Sequence, residues 1–239
     1  MSSAESQTDS SPQGEAARLA ALPDKPESAE WQQVYRDPQL VGRRLRTHRK
    51  KLARLGVFTW PRDMALLDMG CGSGEALRIL HEAGFRELHG LDLTLDPRLA
   101  KEPWLKLKTG DGRTLPYPGA TFDAVLCMHS LHHFGGVAGI QAALQEALRV
   151  LKPGGYLSLV DHYRAPQVWA AFWGVRRRWL MWPTSGLRSF YKQHQEEWPY
   201  LSEYLRTFPE TRAVIDSLGC TPMVDRKGLF FFYWTGRKK

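Results

Sequence analysis

The sequence predicts an α/β fold, an open and mostly parallel sheet with helices on both faces, and three observations predict it. Short apolar runs alternate with amphipathic helical segments between Met64 and Val160, the pattern made by βαβ units with right-handed crossovers. The stretch Leu66-Leu67-Asp68-Met69-Gly70-Cys71-Gly72-Ser73-Gly74 reads as a strand entering a turn with glycine at every second position. Such glycines let a ligand lie directly against the main chain, and a turn of this kind belongs at the carboxyl edge of a parallel sheet. Acids also close successive apolar runs, at Asp68, at Asp92 and, after Gly110, at Asp111.

Residues 1–28 are polar and aperiodic and read as a disordered tail. Over 29–60, Asp37-Pro38 caps a helix that runs to about Leu55 and stops at Gly56. Val41, Leu45, Leu52 and Leu55 give it one narrow apolar stripe, and the rest is largely Arg, Lys and His. The core, 61–163, opens with a strand over Met64–Met69 and a helix from Glu75 to Ala83, stopped by Gly84. A second strand spans Glu87–Leu91 and ends at Asp92; a short helix follows Asp96-Pro97, and a third strand lies near Leu105–Thr109. Pro116, Pro118 and Gly119 mark a loop before a fourth strand, Phe122–Cys127. The next helix, Val137–Leu151, is broken by Lys152-Pro153-Gly154-Gly155, and a fifth strand covers Tyr156–Val160.

Residues 164–208 interrupt the alternation with Trp169, Trp173, Trp179, Trp182 and Trp198 around Arg176-Arg177-Arg178, and read as a helical insertion. The core ends over 209–239 with a helix, Pro209–Leu218, and two strands, Thr221–Arg226 and Leu229–Trp234. Lys227-Gly228 is the expected hairpin turn between them.

A chain of 239 residues suits one ordinary domain with an insertion. Its three cysteines form neither a disulfide framework nor a zinc site. The adjacent His132 and His133 cannot both point one way, so no metal is expected. The first residues lack the apolar run of a signal peptide, and no segment approaches the roughly 18–20 apolar residues of a membrane span. A soluble, cytoplasmic monomer is therefore expected. The formal charge is +8, from 33 Lys+Arg against 25 Asp+Glu, concentrated at Arg43–Arg54, Arg176–Arg178 and Arg237–Lys239. That balance suits nucleic acid, an anionic membrane surface or an anionic substrate, and equally solvated helix faces.

The glycine spacing separates two chemistries. A dinucleotide fingerprint needs a third glycine where this chain has Glu75, and a P-loop needs a Gly-Lys-Ser/Thr that is missing. What remains is Asp-x-Gly-x-Gly-x-Gly over Asp68–Gly74. Further on come Phe122-Asp123-Ala124-Val125-Leu126-Cys127, Leu131-His132-His133-Phe134 and Leu148-Arg149-Val150-Leu151-Lys152-Pro153-Gly154-Gly155. Together they closely resemble the methyltransferase type 11 group of the class I S-adenosylmethionine (SAM) methyltransferases, over about Met64–Val160.

The resemblance implies a Rossmann-like sheet of seven strands, mostly parallel with the last antiparallel, and an α-helical lid formed by the N-terminal helix of 29–60 and the aromatic, basic insertion of 164–208. It implies SAM as cofactor. Asp68 would face the ligand's ammonium, with Gly70, Cys71, Gly72 and Gly74 around its carboxylate and sulfonium arm. Asp92, with Leu93 beside it, would take the ribose hydroxyls; Asp111 and Gly112 would meet adenine, and Met128 would complete the site. Gly112 stands where relatives more often carry Ala or Ile, which leaves Leu115 as the candidate wall over the ring. Acceptor attack on the SAM methyl is chiefly a matter of alignment and desolvation. If the acceptor is a hydroxyl, a base is needed, and His132 or His129, then His162, are the candidates. The alternative is that the histidines only hold their loop.

Aromatic residues beside arginines at 169–182 suit an amphipathic acceptor, a helix in a bilayer interface or an ordinary core. The expected acceptor is a small apolar or aromatic molecule, with membrane-surface delivery as an open variant. RNA modification is the alternative, since tRNA-modifying relatives share the His-His run and Arg43–Arg54 would contact phosphates. Against it, Gly135-Gly136-Val137-Ala138-Gly139 stands where those relatives are basic. A SAM-binding pseudoenzyme is the third reading.

Overall fold

A computed structural model describes residues 38–175, 177 and 197–239. The expected tail at 1–28, and Arg176, Arg178, Trp179 and Trp182 of the insertion, lie outside the described residues. Seven strands form one sheet in the order β3-β2-β1-β4-β5-β7-β6. β1 (Ala65–Met69), β2 (Glu87–Asp92), β3 (Leu105–Thr109), β4 (Phe122–Met128) and β5 (Leu151–His162) pair in parallel. β7 (Phe231–Arg237) lies antiparallel between β5 and β6 (Thr221–Lys227). The reversed last strand is as expected from the sequence.

Side chains alternate across the sheet because successive residues of a strand face opposite ways. On β4, Ala124, Leu126 and Met128 join a core beneath α1 (Pro38–Arg54) and α2 (Glu75–Glu82). Val125 and Cys127 join the other core. That second layer holds α3 (Gly136–Val150), α4 (Pro166–Val175), a helix over 197–206 (α5) and α6 (Phe208–Asp216). The helix expected to act as a lid, α1, is also a wall of the core. Its Leu52 and Leu55 are fully buried, Arg54 donates to Tyr233 Oη at 2.8 Å, and Thr235 Oγ1 donates to the Leu55 carbonyl at 3.0 Å.

Two boundaries differ from the sequence reading. α3 ends at Val150, because Leu151 is already extended and pairs with Phe122 as the first residue of β5. Tyr156 then pairs with Ala124, so Lys152–Gly155 bulges out of the ladder instead of separating helix from strand. The final hairpin turns through Gly228-Leu229-Phe230, closed by the Gly228 N–H on the Phe231 carbonyl at 2.8 Å. Its second strand therefore starts two residues later than the Lys227-Gly228 turn implied. Burial decides this register: Phe232 and Trp234 enter one core and Tyr233 the other, and a one-residue slip would exchange them.

The strand order reverses between β1 and β4, with β2 and β3 to one side and β5 to the other. A crevice opens at such a switch point beyond the carboxyl ends of the strands. The turn after β1 and the loop after β4 both lie there.

Candidate active site

The β1 turn is built around backbone that only glycine adopts readily: φ is +79° at Gly70, +52° at Gly72 and +75° at Gly74. A Cβ at Gly70 would lie 2.4 Å from Ser130 Oγ, and one at Gly74 would lie 2.5 Å from Leu99 Cδ2. Gly72 is different, since a Cβ there meets nothing within 4 Å. Packing thus requires the outer two glycines, and the middle one borders open space. The turn is clamped to β2 by Gly70 and Cys71 N–H groups on the Leu91 carbonyl at 2.7 and 3.0 Å. Asp92 completes the clamp by accepting from Gly72 N–H at 2.8 Å and Thr94 N–H at 3.2 Å.

Asp68 ends β1 beside this turn with 2% of its surface exposed. Its buried Oδ1 has no hydrogen-bond partner among the described residues. Burial first, then the neighbouring Asp92 and Glu75 charges, push its carboxyl up to about 7. A dry carboxylate left unsatisfied is costly, and a cationic group at that oxygen would relieve it. An ammonium-bearing ligand with an adenosyl body therefore fits the residues present.

Leu93 is partly exposed just beyond Asp92. Asp111, past the end of β3, is gripped by Arg113 Nε at 2.8 Å and Nη2 at 2.6 Å. Although burial works the other way, Arg113 holds that carboxyl below its usual range. A Cβ at Gly112 would lie 2.7 Å from the Phe134 ring. The residue over Gly112 is thus Phe134 and not Leu115, which is sealed in the core.

The β4 and β5 ends form the second half of the cleft. Met128 pairs with Val160, which brings His129 alongside Asp161 and His162. Ser130 Oγ donates to the Gly70 carbonyl at 3.2 Å and ties this loop to the glycine turn. His129 sits at φ +60°, a conformation uncommon outside glycine and the kind of strain that clusters at functional sites. Asp161 has no exposed surface. It accepts from Leu131 N–H at 3.1 Å, His162 N–H at 2.7 Å and His132 Nδ1–H at 3.0 Å. Burial opposes its ionisation, yet the His132 side chain first, then those of His162 and His129, hold it well below the usual carboxylate range. Of the predicted base candidates, His132 is thus buried on Asp161. His129 and His162 instead pack against Phe231, whose ring lies 4.9 and 4.6 Å from theirs, and His162 also against Phe172 at 5.2 Å. Burial lowers both imidazoles, so both are neutral at pH 7.

Sequence reasoning missed Lys51, His48, Asp161 and Phe231. Lys51 reaches in from α1 with its Nζ on His129 Nε2, 4.1 Å from the Phe231 ring centre. Burial lowers it to about 8, so it stays largely cationic at neutral pH. His48 stands one turn earlier, 6.1 Å from the His129 ring. Asp161 carried a readable signal, an acid at the end of an apolar strand; Lys51 carried none, being one base in a basic run. His129, Asp161 and His162 also offer ligand atoms within 4.8 Å of one another. Asp161 in this group already accepts hydrogen bonds from Leu131, His162 and His132, and the Lys51 ammonium stands on His129.

Comparison with known proteins agrees with this geometry. Residues 67–159 match the family model described as a methyltransferase domain. A demethylmenaquinone methyltransferase from Deinococcus radiodurans is 28% identical over 186 residues, covering 73% of this chain and 75% of that protein. Among solved structures, the PH0226 protein of Pyrococcus horikoshii is similar at a TM-score of 0.57 and 17% identity, covering 93% and 99% of the two chains. A SAM-dependent methyltransferase from Methanosarcina mazei is similar at 0.52 and 17%, covering 75% and 94%.

Proposed function

We propose, on the premise that residues 67–159 belong to the SAM-dependent methyltransferase domain family, that this class I enzyme methylates a small, largely apolar aromatic acceptor. One observation carries the reading: neutral His129 and His162 cluster with Lys51 and the Phe231 ring at the strand ends, on the loop that Ser130 ties to the glycine turn. The relative named for demethylmenaquinone supports an acceptor of quinol type.

Asp68 and the open face of Gly72 would hold the amino-acid end of SAM, and Asp92 would face its ribose. When bound, SAM supplies a methyl carbon already activated by its sulfonium. The chain's own work is then positioning and proton handling. His162 is the base in this reading. Asp161 holds its backbone N–H, its Nδ1 lies 3.5 Å from that carboxylate, and Nε2 is the ring nitrogen left for the acceptor's proton. His132 is a positioning residue, since it sits behind Asp161 and braces the carboxylate from the core side. The dry walls exclude water that would compete for the proton.

Acceptor delivery at a membrane surface draws support from one exposed patch. Trp173 on α4 and Leu229 in the β6–β7 turn are 61% and 66% exposed. Arg177 stacks on Trp173 at 4.3 Å, and Gln167 Nε2 ties α4 to the Leu229 carbonyl at 3.0 Å. An aromatic and an aliphatic side chain beside basic ones suit an anionic interface. No helix among the described residues is long and apolar enough to cross a membrane, so such contact would be peripheral. The RNA reading loses ground because Arg44, Arg49, Lys51 and Arg54 of α1 are bonded to Glu75, Glu82, His129 and Tyr233.

The test is methyl transfer from radiolabelled SAM to a panel of hydroxynaphthoquinols and other phenols, beside calorimetric binding of S-adenosylhomocysteine (SAH). Label on at least one aromatic acceptor, and none on tRNA, is expected. Absence of SAH binding would overturn the reading. Flotation with phosphatidylglycerol vesicles, lost in Trp173→Ala, checks the surface.

A further inference from the structure

We propose that Lys51 holds the acceptor's reacting oxygen as an anion, so that the enzyme selects phenolic or enolic hydroxyl compounds over their ethers. This rests on the acceptor-side reading above and deepens it by naming the substrate class.

Lys51 carries a buried charge: it is 6% exposed and, among the described residues, has no carboxylate within ion-pair distance, although Asp161 acts on it at longer range. The other bonded bases of α1 end on partners suited to them: Arg44 on Glu75 at 3.1 Å, Arg49 on Glu82 at 2.8 Å, and Arg54 on the Tyr233 hydroxyl. Lys51 alone of these ends on a neutral imidazole and an aromatic face. A buried ammonium is expensive unless an anion meets it. The nearest anion, Asp161, is committed to two backbone N–H groups and His132.

The groups around Lys51 make it a donor pointed at a ligand. From α1 come His48 and Arg54, from the β4 loop His129, from β5 Asp161 and His162, and from β7 Phe231. His129 takes one ammonium hydrogen at Nε2, from backbone at φ +60°. An ammonium has three donors, so two remain beyond the one given to His129. In the proposed complex they meet an oxyanion, the group that suits an ammonium set beside an aromatic ring and neutral imidazoles. Its formation balances: the acceptor's O–H bond breaks, the proton passes to His162 Nε2, and the electron pair stays on the oxygen beside Lys51.

The probe is 4-nitrophenol, whose phenolate absorbs visible light and whose phenol does not, titrated with pH against the SAH-saturated protein. Bound to wild type, it should ionise roughly one to three pH units below its free value, the effect of an adjacent opposite charge. Lys51→Met should abolish that shift while SAH affinity by calorimetry is unchanged, and Lys51→Arg should restore much of it. Wild type alone also decides: 4-nitrophenol should bind at least about tenfold tighter than 4-nitroanisole, roughly one charge-assisted hydrogen bond. An unshifted or raised ionisation, equal binding of the ether, no binding of the phenol, or an undiminished shift in Lys51→Met overturns the proposal. Loss of SAH binding by wild type would instead remove the methyltransferase reading beneath it.

Discussion

Asp68 offers a sharp test, because one proton should control cofactor affinity. Its carboxyl is raised to about 7 by burial and by the Asp92 and Glu75 charges, and its Oδ1 awaits a partner. In the free protein at about pH 6, roughly nine in ten molecules would carry the proton on Asp68. A ligand ammonium favours the ionised form, so binding must expel that proton. The sign follows: affinity rises with pH through about 7 and levels above it. Between about pH 7.5 and about pH 6, SAH should bind roughly eightfold more weakly, a penalty of about 1.3 kcal/mol. Calorimetry in two buffers of different ionisation enthalpy reads both the affinity and the proton released. Asp68→Asn should flatten the pH dependence, release no proton and weaken SAH by roughly 10–100-fold, the worth of a charge-assisted hydrogen bond. An affinity that is flat across this range in wild type, with no proton release, would refute the placement of the ammonium on Asp68.

The glycine turn predicts a split between two substitutions. Gly74→Ala should cost about 2–4 kcal/mol in urea denaturation, because its Cβ strikes Leu99 on left-handed backbone. Gly72→Ala should cost only about 1 kcal/mol yet weaken SAH at least about tenfold, since the open space beside it is the ligand's; equal stability losses would contradict this. Asp161→Asn should destabilise by about 3–5 kcal/mol, as removal of one partner from a buried ionic network does, and a loss under about 1 kcal/mol would show that the network is not structural. His162→Gln should lower kcat by roughly 10²–10⁴-fold with little change in SAH affinity. In wild type kept saturated with SAM, so that Asp68 stays ionised, kcat/KM for the acceptor should hold from neutral pH down past the ordinary imidazole range, because burial lowers the His162 pKa, and an acid limb above pH 6.5 would point to another base.

Local pattern determined a good deal about this protein. The alternation of apolar runs and helical stripes marked strands over 64–69, 87–91, 105–109 and 122–127, within a residue of β1 to β4 at each end; the central β1 and β4 are buried on both faces and demand consecutive apolar residues, whereas β3 at the edge alternates Leu and Lys. The Asp-x-Gly-x-Gly-x-Gly turn was legible for the same kind of reason: left-handed backbone is a property of single residues. So was the likeness that named the cofactor. Tertiary structure alone decided which histidine faces the cleft, since His129 and His132 are three residues apart yet one meets Lys51 and the other Asp161. It also decided that β7 slips between β5 and β6, and that the basic helix, whose apolar stripe seats Leu52 and Leu55 in the core, hands Lys51 to the site. Lys51 and His129 are separated by 78 positions in the chain, and no periodicity reports a contact of that span. Backbone conformation is written in neighbouring residues, whereas the company a charged side chain keeps depends on which distant strands close over it.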